Sequence, residues 1–315
     1  MPKFSVIIPL YNKEKDFPLT LKSVMAQTFK DFEVIIVNDG STDNSLAIAE
    51  AEAKTDSRIK IFNKKNEGLA ATRNYGVARA NTEDVIWIDA DDSWHPFHLE
   101  NMAAILKKLP EAQWFAAAYE KKHSDNLTRS MIAPTLEKGE NWIGVIEDYF
   151  KESMVDSLTH PSSVGMKKSF FLNLGGHNTA ITFSEDTDLW IRAALKAPLA
   201  FSNKISATIM LDSSNRLNHT SLKTRIFPDY DVFNAQAEMN SSLKKYLDVH
   251  RFSIALNYKL DGDIENFKKY KSKIATTSLN SKQRLLLGVP KVILVASKRL
   301  KEMLHTSGFY FSVYR

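Results

Sequence analysis

The stretch Val85-Ile86-Trp87-Ile88-Asp89-Ala90-Asp91-Asp92 decides how this chain reads. Four branched or aromatic apolar residues in a row describe a strand buried on both faces. Three carboxylates follow within four positions. Isolated charges are costly to desolvate, so a buried strand has no structural use for that much negative charge at its end. Carboxylate oxygens suit a hard divalent cation, Mg2+ or Mn2+, and also accept from the hydroxyls of a sugar or ribose. Alone, the stretch equally describes an acidic turn capping a helix that begins near Pro96. The flanking sequence separates the two readings.

Upstream, Phe4 to Leu10 is a β-branched run that gives way to the polar turn Tyr11-Asn12-Lys13-Glu14, a strand and then a loop. Pro18 to Thr28 carries Leu21, Val24, Met25 and Thr28 on one helical face. Phe32 to Val37 is a second buried strand running into Asn38-Asp39-Gly40-Ser41-Thr42-Asp43, with Asp43 a good N-cap for a helix through Lys54. Ile59 to Phe62 is a short third strand, and Asn66-Glu67-Gly68 opens an alanine-rich helix through Ala80. Strands alternating with helices specify a parallel sheet covered on both faces. Such sheets bind ligands at the carboxyl ends of their strands, where Tyr11, Asp39 and Asp89 to Asp92 fall. The ligand-binding reading gains accordingly.

Downstream, Leu99 to Leu109 reads as a helix ended by Pro110, and Gln113 to Tyr119 as a strand. Residues 121–140 read as a polar loop, Trp142 to Phe150 as a helix, and His160 to Met166 as a strand. Lys168 to Leu174 is a short helix closed by Gly175-Gly176. Glu185 to Leu195 is amphipathic, with Leu189 and Trp190 inward; Ile205 to Leu211 alternates like an edge strand, and Asn215 to Ser221 is a polar loop. Beyond Arg225 the pattern is helical and lysine-rich.

The chain has 315 residues, 43% apolar and 25% charged, the composition of an ordinary globular protein. It lacks cysteine, which removes disulfide frameworks and thiolate metal sites. The start is too soon polar for a signal peptide, and no apolar run of about 18 residues spans a bilayer. A cytoplasmic protein is expected. The net charge of +5 is uneven: Ser241 to Arg315 holds 15 Lys or Arg against 5 Asp or Glu, so the first 240 residues are net acidic. An acidic half that binds an anion needs a metal ion. The basic half suits an anionic partner such as a membrane surface, or is a solvated helical face.

Five segments together resemble the inverting, nucleotide-sugar-dependent glycosyltransferases of family 2: SVIIPLYNKE at 5–14, FEVIIVNDGSTDNS at 32–45, NEGLAATRNYGVARA at 66–80, VIWIDADD at 85–92 and SEDTDLWIR at 184–192. The resemblance covers roughly the first 220 residues. It implies the GT-A fold, a Rossmann-like, mainly parallel α/β sheet flanked by helices, here with a C-terminal helical extension. The implied organisation is a catalytic domain over 1–225, with a nucleotide-binding half to about 110 and an acceptor-side half after it, followed by a basic region over 226–315.

The resemblance assigns donor binding to Pro9, Tyr11, Asn12, Glu14, Asp39, Arg73, Asp89 and Ala90. Tyr11 would lie against a uracil ring, Asp39 would accept from its imide N–H, Arg73 would meet the base or diphosphate, and Asp89 would hold the ribose. Asp91 would ligate Mn2+ or Mg2+, and His219 would add a metal ligand from a loop over the diphosphate. Asp186 would be the general base, with Glu185, Gly176 and Trp190 on the acceptor side. Plain alternatives stand beside these: a packing aromatic at Tyr11, a turn former at Asp39, a surface Arg73 and His219, and an acidic pair at 185–186 that satisfies a helix dipole. Two positions depart from the family pattern, His177 where an aromatic is usual and Ser184 where a glycine often stands; both bear on acceptor identity.

The implied activity is transfer of a sugar, expected from a UDP-linked donor, to a hydroxyl of a glycan or lipid-linked glycan, without nucleic acid. The tail run Arg284 to Ala296, broken by Pro290 and followed by Ser297-Lys298-Arg299-Leu300-Lys301, suits either a membrane interface or packing on the catalytic domain. Two rivals keep the fold. A sugar-phosphate nucleotidyltransferase is expected to carry a glycine- and basic-rich loop after its first strand, which Pro9-Leu10-Tyr11-Asn12 is not. A non-catalytic carbohydrate-binding protein would not need the acidic pair.

Overall fold

The computed structural model describes residues 3–124, 126–213 and 221–297. The chain divides into two compact units: Met1–Tyr149 with Ser157–Thr220 and Thr224–Pro228, and a second of Phe150–Asp156, Ser221–Lys223 and Asp229–Arg315.

In the first unit, β1 (Phe4–Leu10), α1 (Phe17–Met25), β2 (Phe32–Asn38), α2 (Ser45–Ala53), β3 (Ile59–Asn63), α3 (Leu69–Arg79) and β4 (Asp84–Trp87) follow the expected alternation. β1 lies between β2 and β4, and β2 between β1 and β3, all parallel. Every residue of β1, β2 and β4 is buried, which is why their sequences are continuously apolar rather than alternating. Pairing runs one residue past β4, where Ile88 N–H donates to the Ile7 carbonyl (3.1 Å), so the chain leaves the sheet at Asp89. Gly76 of α3 lets that helix close on the sheet; a Cβ there would sit 2.5 Å from Ile7 Cγ2.

After β4 come β5 (Ser93–Trp94), α4 (His98–Lys108), β6 (Trp114–Ser124), β7 (Leu127–Ser130), β8 (Ile143–Ile146), α5 (Tyr149–Glu152), β9 (Val164–Lys167), α6 (Lys168–Asn173), α7 (Glu185–Ala194) and β10 (Leu199–Met210). The sheet order is β3-β2-β1-β4-β9-β6-β10-β5, with β7 beside β6 and β8 beside β10. β9 is antiparallel to both neighbours, β6 and β10 are parallel, and β5, β7 and β8 pair antiparallel.

Three expectations are corrected here. Residues 121–140 are not all loop: β6 continues to Ser124 and pairs with β7. Trp142 to Phe150 is not one helix, because Ile143–Ile146 pairs with Leu199–Ser202 as β8 and only Tyr149–Glu152 is helical. The strand read from Ile205 begins at Leu199 and is no edge, having β6 on one side and β5 and β8 on the other.

The second unit contains α8 (Asn234–Met239), α9 (Ser241–Asp261), α10 (Ile264–Ser272) and α11 (Ser281–Gly288). Phe252, Ala255, Phe267, Ile274, Leu279 and Leu287 form its core. Sequence chemistry sets the helix ends: the side chains of Asn240, Asp263 and Asn280 accept from the first-turn N–H groups of Leu243, Asn266 and Gln283, and Gly262 (φ 95°) closes α9. Among the described residues no helix is long and apolar enough to cross a membrane.

Candidate active site

The parallel strands deliver their carboxyl ends to a cleft of about 570 Å³, a volume that suits a small-molecule ligand. The end of β1 supplies Pro9, Tyr11 and Lys13; the end of β2 supplies Asp39; β4 is followed by Asp89, Ala90, Asp91 and Asp92; α3 contributes Arg73 and the start of α7 Glu185 and Asp186. Residues that lie up to about 180 positions apart in sequence thus share one site. Tyr11 keeps 41% of its surface exposed.

Asp39 is buried, and its carboxylate is already engaged. Oδ1 accepts from the Lys64 ammonium and from Glu67 N–H (3.0 Å), and Oδ2 from Gly68 N–H (3.0 Å). It therefore anchors the loop that opens α3.

Arg73 lines the cleft, and the alternative of a surface arginine does not hold. It is 1% exposed, with Nη2 donating to Asp89 Oδ1 (2.6 Å) and Nη1 to Glu185 Oε1 (2.7 Å). Its guanidinium thus clamps the β4 end to the start of α7. Burial alone would push Asp89 up, but Arg73, helped by His160 and Lys13, holds it below the usual carboxylate range. Burial pushes Glu185 up to about 7 despite Arg73.

Asp186 lines the cleft one residue beyond, its Oδ1 accepting from Thr187 N–H (2.8 Å). Burial raises its pKa, with Asp89 adding to the effect and Arg73 opposing it. The backbone before α7 reaches this position through Ser184 in the left-handed region (φ 63°), which accounts physically for the glycine usual there.

The acidic turn after β4 is held from several directions. Asp91 Oδ2 accepts from Lys13 Nζ (2.7 Å) and Ser213 Oγ (2.7 Å). Asp92 Oδ1 accepts from Met210 N–H (2.9 Å) and Oδ2 from the Ser162 hydroxyl. Burial and the charges of Asp91 and Asp89 push Asp92 well above the ordinary range. Among the described residues, six carboxylates line the cleft (Asp39, Asp89, Asp91, Asp92, Glu185 and Asp186) against two permanent cations, Lys13 and Arg73.

That donor set fits a hard divalent cation. Single atoms of Asp89, Asp92 and His160 lie within 4.8 Å of one another; Asp91, next to them in sequence, is outside that group. His160 Nδ1 accepts from Ser162 N–H (3.2 Å), so the carboxylate oxygens are the stronger candidates as ligands.

Several expected site residues stand elsewhere. Asn12 is not on the cleft: it adopts φ 50°, its Oδ1 accepting from Thr42 N–H (2.8 Å) and its N–H donating to Ser41 Oγ (3.1 Å), which ties the β1 loop to the β2 loop. Glu14 does the same, accepting from Asn44 N–H (3.0 Å) and its side-chain amide (2.9 Å). Gly176 (φ 68°) is a turn residue whose carbonyl accepts from Arg192 Nη2 (2.9 Å). Trp190 is 2% exposed and packs against Trp114 and His177. His177 is buried too, against Trp87 and Phe171, where burial and Arg73 lower its pKa well below the usual value and keep it neutral. His219 lies outside the described residues. Sequence reading placed Asp92 at the site without a role of its own and missed Lys13, His160 and Ser213, for which only the YNK loop offered a signal.

A mixed α/β sheet whose parallel strands end in an acidic, nucleotide-sized cleft defines the class: a Rossmann-like domain of the GT-A type. The sequence model of Glycosyl transferase family 2 matches residues 5–172, more than half of the chain, and the protein belongs to that family. It is 30% identical over 202 residues to an uncharacterized glycosyltransferase of Rickettsia conorii, covering 64% of this chain and 33% of that protein. It is 46% identical over 98 residues to the cholesterol galactosyltransferase of Borreliella burgdorferi, covering 31% of this chain and 27% of that one. The chain spans about a third of the length of the first curated relatives it matches. Among solved structures, S. aureus TarS 1–349 in complex with UDP-GlcNAc is similar with a TM-score of 0.66 at 21% identity, covering 98% of this chain and 93% of that one. At that identity the likeness speaks to the fold.

Proposed function

We propose that the protein is an inverting glycosyltransferase that moves a sugar from a nucleoside diphosphate donor, UDP-linked, to a hydroxyl of a glycan or lipid-linked glycan. The observation that carries this reading is the placement of Asp186 on the same cleft as Asp89, Asp91 and Asp92, with Arg73 bridging the two acidic segments. Family membership supports sugar transfer, and the UDP-GlcNAc held by TarS supports the donor class.

In this reading Tyr11 stacks on the base and Asp39 Oδ2 accepts from it, while Asp89 receives the ribose hydroxyls. Asp91, with Asp92 beside it, would hold Mn2+ or Mg2+, which would supply charge neutralisation for the departing diphosphate. The acceptor hydroxyl attacks C1 from the face opposite the diphosphate. The C1–O bond to the leaving group breaks, its electron pair leaves with the nucleoside diphosphate, and the hydroxyl proton passes to the Asp186 carboxylate. One displacement inverts the anomeric centre. The raised pKa of Asp186 makes it a better proton acceptor than an ordinary carboxylate, and its fixed position on α7 does the rest.

Asp186→Asn tests the assignment. Nucleotide binding should persist while turnover falls by at least about 100-fold, the scale of general-base effects; unchanged turnover would place the base elsewhere. The basic second unit fits a peripheral role at an anionic membrane surface, supported by exposed Leu285, Val292 and Ile293 among Lys282, Arg284 and Lys291.

A further inference from the structure

Lys13 has no part in the reading above, yet it stands where a cation is needed. Its backbone is fixed at both ends: N–H donates to Ser45 Oγ (2.8 Å), and the carbonyl accepts from Asp16 N–H (3.1 Å) and Phe17 N–H (2.9 Å). The neighbouring Asn12 is locked to the β2 loop. The Lys13 side chain places Nζ 2.7 Å from Asp91 Oδ2, with both partners largely buried, at 11% and 14% exposed.

The pair is more than a surface contact. Asp91 sits among Asp89 and Asp92, and Arg73 is already committed to Asp89 and Glu185. Lys13 is therefore the permanent cation that answers the remaining charge of the turn among the described residues of the cleft. A divalent ion on either oxygen of Asp91 would approach the ammonium to a few ångströms, and like charges at that range in a partly dry site repel strongly.

We propose that Lys13 is a built-in counter-cation: its ammonium takes the charge position that the divalent ion occupies on Asp91, and the two compete for it. This rests on the metal assignment in the proposed function. Metal loading then requires the Lys13 side chain to leave Asp91, and the ammonium stabilises the acidic turn when no ion is bound. A lysine suits this use better than a carboxylate-clamping arginine, because its flexible stem and single charged centre release easily.

The full chain carrying Lys13→Met, which keeps the stem and removes the charge, and Lys13→Arg, which keeps the charge, provides the test. Mn2+ binding is read without nucleotide from the electron paramagnetic resonance of free Mn2+, and melting temperature is read in EDTA and in Mn2+. Lys13→Met should bind Mn2+ at least about tenfold more tightly than the natural chain, and Lys13→Arg within about threefold of it. In EDTA Lys13→Met should melt below the natural chain, with the gap closing in Mn2+. Equal or weaker Mn2+ binding by Lys13→Met overturns the proposal and leaves the metal assignment standing. Mn2+ binding by none of the three chains overturns the metal assignment and the proposal together.

Discussion

Arg73 shows how much of the site is decided by one side chain. Its guanidinium is buried between two carboxylates, one after β4 and one at the start of α7, and its Nε has no hydrogen-bond partner among the described residues. Removing one partner of a buried ion network leaves the others desolvated and uncompensated, at a cost of about 3–5 kcal/mol. Arg73→Met should therefore lower unfolding free energy by about that amount in urea denaturation, and Arg73→Lys by less, since one ammonium cannot reach both acids in a fork. A loss under about 1 kcal/mol for Arg73→Met would show that the clamp is not what holds the turn.

The same scale governs pH. Asp186 must be ionised to accept a proton, and its pKa is raised by burial. The acid limb of kcat/KM should accordingly lie above the ordinary carboxylate range, with activity falling as pH drops through it. Arg73→Met removes a charge that favours the ionised form and should move that limb further up; a limb unmoved by the substitution would detach Arg73 from the base.

At the scale of elements, the turn into α7 repays attention. Ser184 pays the left-handed penalty of roughly 1–2 kcal/mol that a glycine would avoid, against roughly 0.5–1 kcal/mol of extra backbone entropy for glycine. Ser184→Gly should thus be neutral to about 1 kcal/mol stabilising, and Ser184→Val destabilising by about 1–3 kcal/mol, both read from melting curves. A destabilising Ser184→Gly would mean that the hydroxyl matters more than the backbone.

Elements also divide what sequence reveals from what it hides. β1, β2 and β4 were legible because strands covered on both faces leave uninterrupted apolar runs, and their polar termini marked the cleft. β7, Leu-Thr-Arg-Ser, carries no apolar signal, since it is held by pairing with β6. β8 follows the bulky Trp142, which packs over Gly144 so closely that a Cβ would meet Cζ2 at 2.3 Å, and its pairing with β10 overrides the helical look of the segment. In the site, Asp89, Asp91 and Asp186 stood out as acids at element ends. Arg73 did not reveal its buried role, because its partner Glu185 lies 112 positions away. Lys13, His160 and Ser213 reach the acidic turn only through the fold.

At the scale of the molecule, charge is partitioned: the acidic residues gather at the cleft of the first unit, and Lys and Arg dominate the chain after Ser241. If the second unit meets an anionic bilayer, the full chain should float with vesicles containing phosphatidylglycerol but not with purely zwitterionic ones. The combined Lys282→Glu, Arg284→Glu and Lys291→Glu variant should lose much of that flotation, with the effect of salt following screening. Equal flotation of variant and natural chain would remove this surface from consideration.

In the proposed function the acidic cleft holds a nucleoside diphosphate through a divalent ion. Calorimetric titration of UDP into the full chain, in Mn2+ and again in EDTA, measures it directly, with the Asp89→Asn, Asp91→Asn double variant alongside. Mn2+ should tighten UDP binding at least about tenfold, or 1.4 kcal/mol, and the double variant should lose that gain. UDP binding that is the same in EDTA, or untouched by the double substitution, would contradict it.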